Sequence, residues 1–499
     1  MKLPNSVYNP ISALGAAVAF VTGLLGALLL GLSFVLEELH NPYFGIFLYL
    51  VLPAVLFAGL LLIPIGMVRA RHRRTEGRGP AHWPVVDLSR PGHRNAVLVF
   101  LAGTAVLLTV SGIGSYEAFH YSESVEFCGT TCHQVMEPEY TTYQHSPHAR
   151  VSCSACHIGE GADWWVKAKL SGAYQVYATL TDRYPRPIPT PVENLRPAQE
   201  TCERCHWPKM FFGGQQRRYS HYLYDDDNTP WTIDLLIKTG GGDPARGQAS
   251  GIHWHMNIGA KVEYIARDDE RSEMPWVRVT DRRTGAVTVY QDESNPLTEE
   301  EIAAAEPRVM DCMDCHNRPS HVYLSPDEAI DLALRRGAID RDLPGIKRLA
   351  VTAMAAGYGS KQEALSGIAT VIISHYREKL PEVYERRRAR LDEAVEAVQQ
   401  AYASNVFPAM NAQWSDYPTH AGHFDSIGCM RCHTGNHVSE DGHRVTASCE
   451  ACHVILAQGD GAGYEAASIA EGLEFRHPVD IAEMWREVGC WECHQGVQP

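Results

Sequence analysis

The sequence has no cysteine outside one short motif. Its 14 cysteines form seven pairs, and a histidine follows each pair directly. Zinc sites built from such pairs would combine them in fours, with no reason for a trailing histidine, and a disulfide framework would not require one either. The pattern therefore excludes both as the common purpose of the cysteines. The seven motifs are Cys128/Cys132/His133, Cys153/Cys156/His157, Cys202/Cys205/His206, Cys312/Cys315/His316, Cys429/Cys432/His433, Cys449/Cys452/His453 and Cys490/Cys493/His494.

Cys-x-x-Cys-His is the attachment site of c-type haem. Two thiols one helical turn apart form thioethers to the haem vinyl groups, and the next imidazole reaches the iron. The spacing therefore predicts seven covalently bound haems. The first motif differs because three residues separate Cys128 from Cys132, and haem can still be attached to such a site.

Charged residues are absent from three apolar runs near the N-terminus, Ile11–Leu36, Tyr43–Val68 and Ala96–Tyr116. Each run reaches the roughly 20 residues that a bilayer demands of a helix. The runs therefore predict three transmembrane helices. The first is too long for the apolar part of a cleaved signal peptide, only Lys2 is basic before it, and no clear cleavage site follows.

The segment between the second and third runs predicts the orientation in the membrane. It carries seven arginines against only Glu76 and Asp87. Basic loops stay on the cytoplasmic side, so the N-terminus is predicted in the cytoplasm and everything after Tyr116 outside. Haem attachment predicts the same side, since c-type thioethers are made on the outer face of the bacterial inner membrane.

Two further absences exclude other kinds of haem. The apolar runs contain no histidine, so they cannot hold a b-type haem pair between histidines. No Cys-x-x-Cys-Lys motif occurs, which excludes the lysine-ligated catalytic haem of pentahaem nitrite reductases.

The charge of the chain is strongly negative outside the membrane region. The formal net charge is −15 over 499 residues, whereas residues 1–122 alone carry +3, leaving −18 for the remainder. Such a surface favours basic partners, with association that weakens as salt rises, and it argues against a nucleic-acid partner.

The chain therefore predicts a membrane-anchored multihaem cytochrome c, with three N-terminal transmembrane helices and a mostly helical and irregular periplasmic domain organised by haem. Haems must supply much of the apolar core of that domain, because Gly, Pro and polar residues are frequent around the motifs. Five regions are predicted: a membrane anchor at 1–122, a trihaem module at 123–215, a haem-free β-containing insertion at 216–305, a helical module with the fourth haem at 306–413, and a C-terminal trihaem module at 414–499.

Local patterns predict the elements of the soluble part. Alternation of apolar and polar residues predicts strands at Val262–Ala266, Trp276–Thr280 and Ala286–Tyr290. Proline and glycine boundaries predict helices at Pro326–Gly337, Leu343–Gly357, Lys361–Leu380 and Pro381–Ser404.

The second axial ligand of each iron decides the function, because an iron that only carries electrons normally has both axial positions filled. Thirteen histidines outside the motifs and the anchor could fill them. His253 and His255, two residues apart, would face the same way on a strand, and either could serve whichever haem the β insertion approaches. The other candidates are His148 just before the second motif, His321 five residues after His316, His423 and His437 flanking the fifth motif, and His477 before the seventh.

The segment Phe127–Tyr140, followed by Ser146–Cys153 and Cys156–Gly159, resembles the NapC/NirT (NrfH-type) family of membrane-anchored, quinol-oxidising multihaem cytochromes. The likeness covers about residues 127–207. With three predicted spans before it and four more motifs after it, the whole chain is similar to the seven-haem inner-membrane cytochromes of the ImcH type.

The resemblance implies a quinol site beside the first haem. It implies Met136 as a ligand of that haem, with His133 as the alternative, and a lysine after the second haem, for which Lys167 or Lys169 would stand. The acidic residue expected nearby has no counterpart between Lys167 and Tyr177, so Glu123, Glu126, Glu137 and Glu139 are the candidate proton acceptors.

Three functions follow. The first is a quinol:cytochrome oxidoreductase that passes electrons from the quinone pool, with menaquinol implied by the resemblance, to a periplasmic c-type cytochrome or reductase in anaerobic respiration. The second is a terminal reductase for a small oxyanion such as nitrite, which requires an iron with an open position. The third is a conduit that takes electrons from another membrane protein. A lipid-soluble donor is favoured because only twelve residues separate Tyr116 from Cys128, at most roughly 40 Å of chain.

Overall fold

The computed structural model describes residues 8–33, 51–75, 87–91, 94–95, 98, 113, 116–117, 119–131, 133–192, 195–241 and 250–497. The chain divides into two compact units. Unit 1 comprises Met1–Val125 and Cys153–Tyr177, and unit 2 comprises Glu126–Ser152 and Ala178–Pro499. The second haem motif therefore belongs to the same unit as the predicted membrane anchor.

Two long helices of unit 1 pack closely, α1 at Pro10–Ser33 and α2 at Leu52–Thr75. A Cβ atom on Gly15 would lie 2.6 Å from the carbonyl oxygen of Gly59, so glycine is required where the two backbones meet. The Ser12 hydroxyl donates a hydrogen bond of 2.9 Å to the Ile63 carbonyl of the facing helix.

One helix among the described residues is long and apolar enough to cross a membrane, Ala54–Arg73. The apolar stretch of α1 is shorter, Pro10–Gly26. The third predicted run, Ala96–Tyr116, lies almost wholly outside the described residues, as does the start of the second. Three spans therefore stay a prediction.

The other helices are shorter than α1 and α2. They are α3 His133–Gln144, α4 Cys153–His157, α5 Ala162–Leu180, α6 Ala198–Thr201, α7 Glu299–Ala304, α8 Pro326–Arg335, α9 Ile346–Ala355, α10 Lys361–Lys379, α11 Pro381–Arg386, α12 Arg388–Asn405 and α13 Cys490–Cys493.

The helical module, α8 to α12, contains the main apolar core of the described residues. Its helices bury side chains at helical spacing, such as Ile368 and Ile372 on α10 and Leu391 and Val398 on α12, each 0% exposed. Ser325 caps α8 by accepting from the Glu328 backbone N–H while Glu328 reaches back.

One buried cation ties the helical module together. Lys347 is fully buried, and its ammonium binds Asp327 at 2.7 Å and Asp331. His221 also contacts Asp331, at 3.1 Å. Asp327, Asp331 and His221 lie close enough together to hold a metal ion. The Lys347 ammonium already binds both carboxylates.

The predicted helices are largely present, with one difference. The segment predicted as a single helix at Pro381–Ser404 is two helices, α11 and α12, interrupted at Arg387. Arg387 donates to the Asp342 carbonyl at 3.1 Å, and α12 turns an apolar face to the core. This stretch is therefore not solvent-facing along its whole length.

Two antiparallel sheets lie in unit 2. The strands are β1 Gln215–Tyr222, β2 Pro230–Ile237, β3 Ala260–Ile265, β4 Trp276–Asp281, β5 Val287–Asp292, β6 Arg308–Val309, β7 His437–Ser439, β8 His453–Gly459 and β9 Glu465–Ala466. The sheet orders are β1-β2-β8-β9 and β6-β3-β4-β5-β7.

The sheets extend beyond the predicted insertion at 216–305. Strands β7 and β8 come from the C-terminal module, where β7 follows the fifth motif and β8 begins at His453 of the sixth. The alternating pattern predicted β3, β4 and β5 but missed β1 and β2. The sheets therefore connect the insertion to two haem motifs.

Candidate haem and quinol sites

Local backbone geometry brings each motif histidine one helical turn from its first cysteine. The histidine N–H donates to the carbonyl of that cysteine, four residues earlier, in four motifs of unit 2. These bonds are His206 to Cys202 at 2.8 Å, His316 to Cys312 at 2.8 Å, His433 to Cys429 at 3.2 Å and His494 to Cys490 at 2.8 Å. Short 3₁₀ turns or helices span every one of these sites.

The first motif absorbs its extra residue in a π-helical turn, Phe127–Thr131. A π turn closes over five residues rather than four, and His133 lies five positions after Cys128. Gly129 lies against the ring of Tyr140, where a Cβ atom would overlap that ring. The longer spacing is thus compatible with the helical arrangement that the other motifs use.

Three of the predicted attachment cysteines lie at the protein surface. Cys205 of the third motif, Cys449 of the sixth and Cys493 of the seventh are exposed, whereas the other described attachment cysteines are half-buried. That haem supplies much of the apolar core stays a prediction at these three positions.

The position of Cys205 has a local cause. Cys205 ends the short 3₁₀ turn Cys202–Arg204, and the residues that follow it, His206 and Trp207, are exposed as well. Its N–H still donates to the Cys202 carbonyl at 3.1 Å, so the motif keeps its turn. Attachment of haem to Cys205 therefore stays a prediction, but of a site at the surface.

Two motifs are anchored by buried polar side chains. Asp314, inside the fourth motif, is 0% exposed and accepts from Tyr264 of β3 at 2.6 Å and from Arg271 at 2.7 Å. Arg431, inside the fifth motif, donates to the Asp314 carbonyl at 2.7 Å. The fourth and fifth motifs are therefore fixed to one sheet and to each other.

Among the described residues, five motif histidines each face a second histidine ring. A metal–imidazole bond of about 2 Å, with about 1.2 Å from nitrogen to ring centre, puts two imidazoles on opposite sides of one metal roughly 6.3 Å apart. The pairs match this spacing. Their centroid distances are 6.2 Å for His148 and His206, 6.3 Å for His253 and His316, 5.8 Å for His255 and His433, 6.1 Å for His423 and His453, and 6.1 Å for His477 and His494.

Backbone carbonyls orient three of these pairs. A carbonyl can only accept a hydrogen bond, so an imidazole Nδ1 beside it must carry the proton, which leaves Nε2 for a metal. The Nδ1 contacts are His148 to Pro319 at 3.2 Å, His253 to Thr239 at 2.7 Å, His255 to Ile252 at 2.7 Å and His433 to Thr446 at 2.8 Å. Burial also lowers the pKa of His255, which favours the neutral ring that a metal ligand requires.

Three candidate ligands, whose motifs the sequence left open, face particular motif histidines. His148 faces His206 of the third motif, His423 faces His453 of the sixth, and His477 faces His494 of the seventh.

His253 and His255 both face motif histidines, but different ones. They lie on a 3₁₀ turn, Ile252–Met256, and not on a strand. At three residues per turn, side chains two apart point roughly 120° away from each other, so one faces the fourth motif and the other the fifth.

Two histidines predicted as iron ligands, His321 and His437, contact backbone carbonyls. His321 does not face His316; its Nδ1 lies 3.0 Å from the Glu139 carbonyl, the orientation shared by the paired rings. The buried His437 donates from Nε2 to the Met274 carbonyl at 2.7 Å. Its Nδ1 is buried with no hydrogen-bond partner among the described residues, so ligation by His437 stays a prediction and would use that atom.

Buried polar atoms near the motifs fit a large bound group. The Nδ1 of His453 and the indole Nε1 of Trp231 are buried with no hydrogen-bond partner among the described residues. Trp231 and Arg476 line a cavity beside His477. Such orphaned groups are rare in an apolar core, so the residues present fit covalent haem.

A polar cluster of unit 1 contains Glu123 and Lys169. The indole of Trp165 on α5 donates to Glu123 Oε1 at 3.0 Å, and the Lys169 ammonium donates to the Ser122 hydroxyl at 3.1 Å. Phe119 stacks on Trp165, with ring centres 6.3 Å apart. The Ser154 hydroxyl, next to Cys153 of the second motif, donates to the Glu123 carbonyl at 3.3 Å.

The other predicted quinol-site residues lie elsewhere or make other contacts. Lys167 lies over the ring of Trp164. Glu137 pairs with Lys361 at 2.9 Å, and Glu139 pairs with Arg318 at 2.9 Å. Met136 is half-buried on α3, three residues after His133. Of the four acidic candidates, Glu123 is the one that the structure brings together with Lys169.

Known proteins match this chain either over one region or over nearly its whole length. Residues 90–188 match the N-terminal region of the NapC/NirT cytochrome c family. The chain is 43% identical to the cytochrome c-type protein ImcH of Geobacter sulfurreducens, over 99% of this chain and 97% of that protein. It is 34% identical to the cytochrome c-type protein NrfH of Wolinella succinogenes, over 20% of this chain and 59% of that protein. No solved structure matches.

Proposed function

The chain belongs to the family of ImcH-type multihaem c-type cytochromes, membrane-anchored electron carriers with a NapC/NirT region, and from that premise we propose that it oxidises menaquinol and delivers the electrons to a periplasmic acceptor. The proposal includes seven covalent haems, three membrane spans with the N-terminus in the cytoplasm, and a periplasmic haem domain. Seven added porphyrins in the mass of the mature chain, together with protease accessibility of that domain from the periplasm, test these parts.

The opposed histidine pairs are the observation that carries electron transfer over substrate reduction. Haem, when bound, supplies one-electron exchange at iron. Two imidazoles on opposite sides leave no position for nitrite or a similar oxyanion. Five of the seven motif histidines have such a second imidazole among the described residues.

The cluster of Glu123, Ser122, Trp165 and Lys169 supports quinol binding in unit 1. Quinol oxidation releases two protons, so its site needs a base near the phenolic oxygens. Glu123 offers a carboxylate oxygen, while the Lys169 ammonium and Ser122 hydroxyl can bind a quinol oxygen. The aromatic faces of Phe119 and Trp165 suit a flat ring.

In this proposal each residue has a separate role. Glu123 accepts the proton from one quinol oxygen, and Trp165 fixes the carboxylate by its hydrogen bond. Lys169 stabilises the negative charge that develops on the oxygen as the proton leaves. Electrons enter the chain at the motifs nearest this cluster, and the protons pass to the periplasm.

Reduction of the purified full chain by a water-soluble menaquinol analogue tests the proposal. The chain is placed in lipid nanodiscs without oxygen, and haem reduction is followed by absorbance. We expect reduction by the analogue alone. Glu123→Gln should slow it by about 10² because the base is lost, whereas Asp163→Asn, an exposed acid on the same α5 helix, should leave the rate unchanged.

Two outcomes would contradict the proposal. Failure of the intact preparation to accept electrons from the quinol would favour a conduit fed by another membrane protein. A high-spin haem signal that responds to nitrite but not to quinol analogues would favour a terminal reductase.

A further inference from the structure

We propose that electrons leave this protein at the seventh haem motif, through an acidic surface that binds a soluble, positively charged electron carrier. This inference rests on the proposed function because it names the exit partner of the same electron path. The exit surface is defined as residues 460–497, which surround His477 and His494.

In unit 2 the third, fourth and fifth motifs are neighbours in space, in the same order as in the sequence. His148 faces His206 of the third motif, and its Nδ1 lies 3.2 Å from the Pro319 carbonyl, three residues after His316, which joins the third and fourth sites. The hydrogen bond of 2.7 Å from Arg431 to the Asp314 carbonyl joins the fourth and fifth motifs.

The order continues to the sixth and seventh sites. The Cys429 N–H of the fifth motif donates to the Gly422 carbonyl at 2.8 Å, which places the adjoining His423 between the fifth and sixth sites. His423 faces His453 of the sixth motif, while the next residue, Phe424, stacks on His494 of the seventh with ring centres 4.5 Å apart. The seventh motif is therefore the last member of a connected series.

The surface around this last motif is acidic. Residues 460–497 contain eight acidic and two basic residues, a formal charge of −6. Both arginines are already paired, Arg476 with Glu465 at 3.6 Å and Arg486 with Glu483 at 3.2 Å. Glu471, Asp480 and Glu487 are exposed, so their charge faces solvent.

The same surface has exposed apolar side chains. Ile469 is 63% exposed, Val479 53% and Met484 50%. Apolar residues beside a charged rim are typical of protein interfaces.

Ion pairs and ring contacts fold this segment around His477. Arg486 binds both Glu474 and Glu483, which closes the loop between them. Phe475 contacts the rings of His477 and Trp485 at 6.2 and 5.4 Å. The acidic residues on either side of this loop thus lie near the seventh motif.

Charge complementarity identifies the partner. A basic carrier is attracted to a −6 surface, and its association is faster at low salt. In the transfer, one electron passes from ferrous iron of this protein to ferric iron of the carrier, with no bond made or broken and no proton moved. Transient carriers suit such a surface because they must also leave.

Binding of a basic probe protein tests the exit surface without any electron flow. The full chain is immobilised oxidised in nanodiscs, and mitochondrial cytochrome c, a small basic haem protein, is the probe. We expect binding at low salt that weakens about tenfold or more at high salt. The triple variant Glu471→Gln/Asp480→Asn/Glu487→Gln should weaken it about tenfold, and succinylated probe should not bind.

A matched variant removes the same charge elsewhere. Glu378→Gln/Glu385→Gln/Glu396→Gln changes three exposed acids of the haem-free helical module and should leave affinity within about twofold. Equal losses in both triple variants, or no loss in the exit variant, would overturn the proposal. Haem content and absorbance spectra establish that each variant is folded.

The same proteins distinguish this inference from the proposed function. After chemical reduction with dithionite, which bypasses the quinol, transfer to the probe is followed by stopped flow. If quinol oxidation fails but the exit variant still slows this transfer, the exit surface stands and the quinol site does not. If quinol oxidation succeeds while both triple variants transfer alike, the exit lies elsewhere.

Discussion

The helical module and the C-terminal haem segment are built in different ways. In α8 to α12 the apolar side chains at helical spacing are almost completely buried against one another. Among the described residues of 415–497, few large apolar residues are buried, Tyr417 and Ile455 among them, while histidine rings face each other in pairs.

The difference indicates what holds each part together. The helical module can fold from its own apolar periodicity, because its core is filled by side chains. The haem segment lacks such a core, and within it the Nδ1 of His453 is buried with no hydrogen-bond partner among the described residues. We therefore expect haem to act as the core of the haem segment. Substitutions in the helical module and in the haem segment should then change different measured properties.

The largest expected effect comes from removing one imidazole of a pair. His255→Ala should turn one haem in seven from low-spin to high-spin, because the fifth iron loses the ligand opposite His433. Electron paramagnetic resonance counts the two spin states. His375→Ala, in the helical module, is the matched control and should leave all haems as they were; a change there of equal size would break the comparison.

The next largest effect concerns the buried cation of the helical module. Lys347→Met removes the buried ammonium that Asp327 and Asp331 share and should lower the free energy of unfolding by about 3 to 5 kcal/mol. Denaturant unfolding followed by far-ultraviolet circular dichroism measures it. Lys361→Met removes an exposed pair with Glu137 and should cost no more than about 1 kcal/mol.

A third experiment compares apolar side chains of the two parts. Leu391→Ala in the core of α12 should lower stability by about 2 to 5 kcal/mol because it leaves a cavity. Ile469→Ala on the haem segment should change it by less than about 0.5 kcal/mol, since that side chain is 63% exposed. The helix signal and the Soret absorbance are recorded together. Equal losses of stability in the two variants would contradict the inference that only the helical module has a core made of protein side chains.

The smallest effect is a dependence on pH near the fifth motif. Burial, and then the charge of Arg431, lower the pKa of His420 to about 4. Between pH 4 and about 6.5 the unfolded chain binds a proton that the folded chain does not, so stability falls as pH drops through this window. In His420→Gln the loss of stability with falling pH should be smaller. An unchanged pH dependence would show that folding does not lower the pKa of His420.

Sequence patterns predicted some elements well and others poorly. Strands β3 to β5 and helices α8 to α10 follow strong periodicity and clear boundary residues, which act locally. Strands β2 and β8 were missed because they pair with each other across most of the soluble part, as between Thr232 and Gly459. The break at Arg387 depends on a contact with Asp342 that no local pattern reveals.

The candidate sites divide in the same way. The attachment cysteines and motif histidines need only spacing, and the supply of additional histidines was visible by counting. Their partners were not, and neither was the exposure of Cys205. His148, His423 and His255 each face a motif that sequence proximity did not indicate, and the carbonyls that orient them, such as that of Ile252, carry no sequence signal at all.

By itself the sequence determined the covalent chemistry, because thioether attachment requires two thiols and an imidazole within one turn, and such short spacings are written directly in the chain. It also determined the acidic charge and the apolar runs. The tertiary structure alone decided which imidazoles face each other, that Glu123 and Lys169 both contact Trp165, and that the fourth and fifth motifs adjoin. Those relations join residues far apart in the chain, and packing of sheets and turns, not local preference, sets the distances between them.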